Sequence, residues 1–176
     1  MVDGRAARYA VGGFGARVLF LHGWGLSGQA YTRPLEELSG RAGLRPGSSR
    51  VRRYRPSPGG AENPRRDGNW VGRFADTIGL SQPVTVVGHS FGGGVAITTA
   101  HRSPDLAERL VLVNSIGGTA WADCRGVGGR PPGSDGEPRP ELAALAERRL
   151  PILVVWGNAG QDHPRIDVVA TPGCSR

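Results

Sequence analysis

A serine set between two glycines is the residue of this chain best suited to covalent chemistry. Gly88 and Gly92 stand two residues before and two residues after Ser90. A serine on a sharp strand-to-helix turn sits in strained backbone that brings neighbouring chain close, and glycines at these spacings remove the side chains that would collide. A helix starting at such a turn directs its N–H groups and dipole at the serine, where they stabilise developing negative charge. The spacing therefore predicts that Ser90 is presented as a nucleophile.

The residues on either side of this turn have the patterns that it requires. The β-branched run 84–87, preceded by Pro83, predicts a strand that is buried on both faces. Residues 95–102 then suit a helix, which Pro104 ends. The sequence thus predicts a strand, a turn and a helix in the order that a presented nucleophile needs.

Further strands and helices alternate along the chain. Strands are predicted at 17–21, 84–87, 109–114 and 151–157, and helices at 30–38, 69–79 and 141–149. Trp70, Phe74 and Ile78 recur at helical spacing and are predicted to share one packed face. The alternation predicts an α/β fold with a mostly parallel sheet and flanking helices. The candidate residues follow the carboxyl ends of strands, where open α/β sheets bind ligands.

Two stretches interrupt this pattern. Residues 40–69 and 117–140 are rich in Arg, Gly and Pro and contain few apolar residues. We expect both to be poorly ordered segments within a single domain that spans 1–176. No element is predicted between 158 and 176.

Composition excludes several classes of protein. The chain has 22 basic residues, all of them arginines, and a net charge of +7. The arginines form no patterned basic face with aromatic residues, so we expect no nucleic-acid partner. Cys124 and Cys174 form no C-x-x-C pair, which gives neither a disulfide framework nor a metal signature. We expect no cofactor.

The same sequence carries no signal for export or membrane insertion. Its N-terminus lacks the basic-then-apolar pattern of a leader, and no run approaches the ~18 apolar residues of a membrane span. We therefore expect a cytoplasmic protein without a membrane partner. Nothing in the sequence indicates an oligomeric state.

Four blocks of sequence resemble the α/β-hydrolase fold family, and they occur in the order of that family. They are 18–25, 83–94, 109–114 and 151–157. In this family the strand-to-helix turn that presents the nucleophile is called the elbow. A serine at the elbow, here Ser90, is similar to the branch of carboxylesterases and lipases and implies hydrolysis of an ester or related acyl substrate. The resemblance implies that the backbone N–H groups of Phe91 and Trp24 form an oxyanion hole. It also implies that Gly88, Gly92, His22 and Gly23 support the elbow and the loop beside it.

The resemblance implies an acid after the strand at 151–157, followed later by a histidine. Asp162 is the candidate acid, two residues beyond the usual position, and Asp123 is a minor alternative. His163 is the only histidine after that position, and its adjacency to Asp162 weighs against a functional pair. His22 and His89 are implied to be structural or pocket-lining rather than the base.

Other parts implied by the resemblance are not visible in the sequence. The strand, helix and Gly-His loop that should follow 158 are not predicted, and the lid is reduced to 117–149. Without a further strand, the strand at 151–157 should be an edge with unpaired backbone groups. These departures predict a shortened or frame-altered member of the family with little or no turnover.

The sequence therefore leaves alternatives open. The first is a serine hydrolase that acts on a small-molecule ester or acyl substrate through Ser90. The second is a non-catalytic α/β-hydrolase-like protein, or a truncated product without activity of its own. A third, a basic nucleic-acid-binding protein, rests only on the net charge.

Overall fold

Five strands form one sheet, in which they lie in the order of the chain. The computed structural model describes residues 1–4, 7, 9, 16–23, 28–35, 63–80, 83–116, 139–158 and 165–170. The strands are β1 (Val18–Leu21), β2 (Val84–His89), β3 (Ala107–Val113), β4 (Ile152–Asn158) and β5 (Arg165–Ala170). Among the described residues, the helices α1 (Pro64–Thr77), α2 (Phe91–Arg102) and α3 (Arg139–Glu147) flank the sheet. A 3₁₀ turn spans Gly28–Tyr31 and is followed by a helical turn over 32–35, within the helix predicted at 30–38.

Strand order decides where the helices pack. Strands β1 to β4 are parallel, and each connection moves one position across the sheet in the same direction. Since such crossovers are right-handed, they place α1, α2 and α3 on one face. Helix α2 contacts both α1 and α3 as well as the strands beneath it. The predicted α/β fold, a mostly parallel sheet with flanking helices, is confirmed.

The core lies between the sheet and α2. A row of apolar side chains crosses the sheet, in which Val86 pairs with Leu19 on one side and Leu110 on the other, and Leu110 pairs with Ile152. Val86 and Leu110 are fully buried and belong to the same cluster as Ile97 of α2. Removing this apolar surface from water is the main term that holds the sheet to the helix.

Burial along the strands differs from the sequence-based expectation. In β2 the buried residues alternate with half-buried ones, which include His89, so the strand is fully buried on one face only. Strand β1 is only partly buried, and 43% of Val18 is exposed. The prediction that 84–87 is buried on both faces is wrong, because the described helices share one face of the sheet. Strand β1 is more exposed still, because it has a paired neighbour on one side only.

Helix α1 begins earlier than predicted. The Asn63 side chain accepts hydrogen bonds from the backbone N–H groups of Arg65 at 2.9 Å and Arg66 at 3.4 Å, and Pro64 occupies the first turn. Asparagine is a preferred N-cap and proline a preferred first residue, so this pair fixes the start. The helix therefore starts at Pro64 rather than Asn69, and residues 64–69 do not belong to a poorly ordered segment. The rest of that segment, 40–62, and most of the other, 117–138, lie outside the described residues.

Glycines rather than aromatic residues make the closest contact between α1 and α2. A Cβ added at Gly68 would lie 2.6 Å from the Thr98 Cβ, and one at Gly72 would lie 2.5 Å from the Ser103 Oγ. Of the predicted aromatic face, Phe74 is buried, whereas Trp70 and Ile78 are half-buried. Small residues allow the two helix backbones to approach closely, and this decides which face of α1 packs.

An ion pair joins α1 to α3. The Arg65 Nε donates to the Glu141 Oε1 at 2.6 Å, and Glu141 is only 5% exposed. Burial acts to raise the pKa of the Glu141 carboxyl. The hydrogen bonds from Arg65 and from the Glu141 backbone, with the charges of Arg65 and His101, outweigh burial and lower that pKa below its ordinary value of 4.5. The ionised carboxylate is therefore the form that the fold stabilises.

This lowered pKa makes stability depend on pH with a defined sign. The contribution of Glu141 is fully present above its ordinary pKa and is lost as pH falls through the lowered value. We expect Glu141→Gln to cost about 1 to 2 kcal/mol at neutral pH, since the partner Arg65 is half-exposed and remains solvated. In urea unfolding measured between about pH 7 and pH 3, Glu141→Gln should then lose less stability as the pH falls than the wild type does.

A matched control lies on the same helix. Glu147 is exposed at the end of α3, so Glu147→Gln should keep the acid dependence of the wild type. If Glu141→Gln and the wild type lost stability in parallel as the pH falls, the ion pair would not be the cause of the pH dependence of stability.

The last strand corrects two expectations. Strand β5 pairs antiparallel with β4 over its whole length, from Leu153 with Ala170 to Asn158 with Arg165. An element therefore lies between 158 and 176, where none was predicted. Strand β4 is consequently not an edge, because its outer backbone groups pair with β5.

None of the helices in the described ranges is both long and apolar enough to cross a membrane.

Candidate active site

The turn between β2 and α2 holds Ser90 in strained backbone. Ser90 has φ 54° and ψ −122°, in the region of positive φ that residues with a side chain seldom occupy. Its N–H donates to the carbonyl oxygen of Val113 at 3.0 Å, and its carbonyl accepts from the N–H groups of Gly93 and Ile116 at 3.0 and 3.1 Å. The end of β3 thus clamps both backbone groups of Ser90, which keeps the strained conformation in place.

The two glycines of the motif lie where no side chain fits. A Cβ at Gly88 would collide with the carbonyl oxygen of Gly92 and lie 2.5 Å from the Gly93 Cα. A Cβ at Gly92 would collide with the carbonyl oxygen of Leu21 and lie 2.5 Å from that of His22. Because all these obstructing atoms belong to backbone, they cannot turn aside as a side chain could. Gly92 therefore lets the start of α2 approach the end of β1, and Gly88 lets it fold back closely on β2.

Two further glycines and a serine support the elbow without having been singled out from the sequence. A Cβ at Gly93 would collide with the side chain of Ser115, and one at Gly94 would lie 2.9 Å from the Ile116 side chain. Ser115 is fully buried, and its hydroxyl donates to the carbonyl of Ile116 at 2.6 Å. The unbroken run of three glycines at 92–94 is the sequence signal that could have identified this packing.

The His-Gly segment after β1 lies against the serine. A Cβ added at Gly23 would be 3.1 Å from the Ser90 Cβ and 3.2 Å from the His89 Nδ1. The His22 Nδ1 is 2.9 Å from the carbonyl oxygen of Gly23, so this nitrogen carries the proton and donates. Strands β1 and β2 are paired neighbours, which is why their carboxyl-terminal loops meet beside Ser90.

Tyr31 also enters this site, although the sequence pattern gave it no role there. Its hydroxyl oxygen accepts from the Gly23 N–H at 3.3 Å and lies 2.7 Å from the His89 Nδ1. Its ring packs against Phe20, with the ring centroids 4.8 Å apart. The 3₁₀ turn therefore brings a third segment of chain to the His-Gly segment and the elbow.

The structure brings some of the predicted site residues together and leaves others undescribed. Ser90 and Phe91, the first residue of α2, lie at the helix N-terminus beside Gly23, with Gly88, Gly92 and His22 around them. The first N–H groups of a helix have no partner within the helix, and Phe91 carries the first of these in α2. The predicted residues outside the described ranges are Trp24, Asp123, Asp162 and His163.

Chain topology nevertheless constrains the segment that contains the predicted acid and base. Asn158 and Arg165, which flank 159–164, pair with each other at the carboxyl end of β4. The elbow follows the carboxyl end of β2, and only β3 separates these two parallel strands. Neighbouring strands lie about 4.8 Å apart, so β2 and β4 are about 10 Å apart across the sheet. The end of β2, His89, is level with Val155, and β4 continues three residues further to Asn158.

The described residues offer no metal centre. Within those ranges, no group of three or more His, Cys, Asp or Glu side chains is placed to hold a metal ion. The chemistry that these residues can perform is nucleophilic attack by a hydroxyl, with backbone N–H groups that stabilise negative charge.

Comparison with known proteins places this arrangement in a wider group. The sequence profile described as "Alpha/beta hydrolase family" matches residues 18–172. The chain is 35% identical over 135 residues to the dihydrolipoyllysine-residue acetyltransferase component of the acetoin cleaving system of Cupriavidus necator, covering 66% of this chain and 31% of that protein. It is 48% identical over 42 residues to 2-hydroxymuconate semialdehyde hydrolase of Pseudomonas putida, covering 24% of this chain and 15% of that protein.

Solved structures give a more distant likeness. A monoacylglycerol lipase of Paleococcus ferrophilus superposes with a TM-score of 0.46 at 22% identity, covering 81% of this chain and 51% of that chain. The chain spans only a minor part of the curated relatives, 31% of the acetyltransferase component and 15% of the semialdehyde hydrolase.

Proposed function

The chain belongs to the alpha/beta hydrolase family, and from this premise we propose that it is a serine hydrolase whose nucleophile is Ser90. One observation carries the proposal. Ser90 occupies the N-cap position of α2, yet its side chain makes no capping hydrogen bond, and its backbone is held at φ 54°. Serine at an N-cap ordinarily caps the helix through its hydroxyl. Here the hydroxyl does not cap the helix and can therefore act as a nucleophile. The backbone bonds to Val113 and Ile116 keep Ser90 in the conformation that exposes this hydroxyl.

The proposed reaction is acyl transfer in two steps. The Ser90 Oγ attacks the carbonyl carbon of an ester, its proton passes to a base, and the carbonyl oxygen becomes an oxyanion. The N–H groups of Phe91 and Trp24 donate to that oxyanion, which they stabilise more than the neutral carbonyl. As the intermediate collapses, the base returns its proton to the leaving oxygen, so that a neutral alcohol departs and an acyl-serine remains. Water then attacks the acyl-serine and releases the acid, which restores the Ser90 hydroxyl.

We propose that the segment between β4 and β5 supplies the acid or the base. Asp162 and His163 lie in this segment, whose flanking residues pair at the carboxyl end of β4, on the same edge of the sheet as Ser90. In acyl transfer of this kind a histidine accepts the serine proton and later donates it to the leaving alcohol, and an aspartate holds the tautomer of that histidine. Because Asp162 and His163 are adjacent, we propose that this segment supplies one of these two roles to Ser90 rather than a bonded pair. The substrate class that this chemistry fits is a small-molecule ester or related acyl compound.

A fluorophosphonate probe tests the nucleophile directly. The folded chain should gain one phosphonyl group by intact mass, and tryptic mapping should place it on Ser90 within peptide 74–102. The same chain unfolded in guanidinium chloride should remain unlabelled, because a serine outside a preorganised site is a weak nucleophile. An adduct spread over several serines, or none on Ser90, would refute the proposal.

A second candidate function is binding without turnover. The adjacency of Asp162 and His163 in sequence favours it, because neighbouring residues can hardly bond to each other and also reach Ser90. Stoichiometric labelling of Ser90 together with no turnover of p-nitrophenyl acetate would support this candidate. Multiple turnovers would exclude it.

A further inference from the structure

We propose that Tyr31 is a positioning residue, whose hydroxyl fixes the His-Gly segment after β1 in the position that acyl transfer at Ser90 requires. This inference rests on the proposed function and names a residue that acts through others. A single oxygen atom, the Tyr31 Oη, makes the two contacts on which the inference depends.

The first contact satisfies a buried backbone donor. Gly23 is buried, and its N–H donates to the Tyr31 Oη at 3.3 Å. An N–H group that is buried without an acceptor is rare, because it forfeits its bond to water. The contact also joins Gly23 to the end of the 3₁₀ turn.

The second contact joins this loop to the elbow. The Tyr31 Oη lies 2.7 Å from the Nδ1 of His89, the residue immediately before Ser90. The Tyr31 ring is itself held, because it packs on Phe20 with ring centroids 4.8 Å apart and lies at 5.5 Å from the His89 ring. The hydroxyl is therefore fixed by packing and connects two segments that both flank Ser90.

These contacts bear on the oxyanion hole. Since the Gly23 N–H is bonded to Tyr31, it is not the donor offered to an oxyanion, and the bond fixes the residue that precedes Trp24, the second donor in the proposed function. A small displacement of such a donor matters more in the transition state than in the ground state, because negative charge develops only there. Loss of the Tyr31 hydroxyl should therefore lower the rate of the chemical step more than it weakens binding.

Tyr31→Phe is the sharpest test, because it removes the hydroxyl and keeps the ring that packs on Phe20. We expect the limiting rate constant of phosphonylation to fall about 10- to 100-fold, with the half-saturating probe concentration changed by less than about 3-fold. Tyr9→Phe is the matched control. Tyr9 is 48% exposed and stacks edge-on against Phe74, so its hydroxyl should not affect labelling.

A spectroscopic measurement separates this inference from the proposed function. In Tyr31→Phe the backbone amide of Gly23 and the ring nitrogens of His89 should shift in ¹⁵N NMR spectra, and in Tyr9→Phe they should not. If the wild type is not labelled at Ser90, the proposed function fails, and these shifts still decide whether Tyr31 couples the two segments. Unchanged resonances in Tyr31→Phe, or an unchanged limiting rate in a labelled protein, would overturn the role given to Tyr31.

Discussion

Replacing Ser90 with alanine is expected to abolish phosphonate labelling and to lower any ester turnover by about 10³-fold or more. The variant has no oxygen to attack the carbonyl carbon, while the oxyanion donors and the binding surface remain. The fold should be unaffected, since the Ser90 side chain makes no capping hydrogen bond and alanine suits the same backbone no worse than serine. Urea unfolding should therefore give a stability within about 0.5 kcal/mol of the wild type.

Ser103→Ala provides the matched control for this substitution. Ser103 follows the other end of α2, so the variant removes a serine hydroxyl from the same helix without touching the elbow. Its labelling rate should equal that of the wild type. Labelling that survived in Ser90→Ala would assign the nucleophile to another residue and would remove the basis of the proposed function.

Replacing Gly92 with alanine is expected to destabilise the fold by about 3 kcal/mol, the upper end of the usual cost of overpacking, and to remove labelling of Ser90. The added Cβ would collide with the carbonyl oxygen of Leu21 and lie 2.5 Å from that of His22. Both oxygens belong to the backbone at the end of β1, and β1 is paired with β2. Relief of the collision therefore requires the strand or the helix to move, and either movement displaces Gly23 from its place beside Ser90. Chemical unfolding and labelling of the fraction that remains folded measure the two effects.

Gly79→Ala separates this collision from the general effect of losing a glycine. Gly79 has φ +71°, and nothing lies within 4 Å of a Cβ built on it. Its substitution should cost only about 1 to 2 kcal/mol, from backbone strain, and should leave labelling intact. Equal losses of stability in Gly79→Ala and Gly92→Ala would show that close approach of β1 is not what requires Gly92.

The sequence by itself determined the elements around the nucleophile. The β-branched run before Ser90 and the glycines at 88 and 92 specify a strand, a turn and a helix through local geometry, so the fold class and the parallel strands were predictable. The start of α1 is also specified locally, by Asn63 as N-cap and Pro64 as first residue. The helix was predicted to start at 69 because the arginines after Pro64 were assigned to the preceding Arg-rich segment. Local signals of this kind depend on backbone conformation and on side chains within a few residues.

Only the tertiary structure decided which distant groups meet. Nothing in the sequence near Tyr31 indicates that its hydroxyl joins Gly23 to His89, 58 residues away from it. The antiparallel pairing of β5 with β4 was likewise not indicated, because Ile166, Val168 and Val169 are compatible with a strand but do not specify which strand it pairs with or in which direction. The contacts that hold Ser90 in strained backbone come from Val113 at the end of β3, from Ile116 beyond it and from Gly93 of α2. Such contacts depend on strand order and packing, which no local pattern encodes.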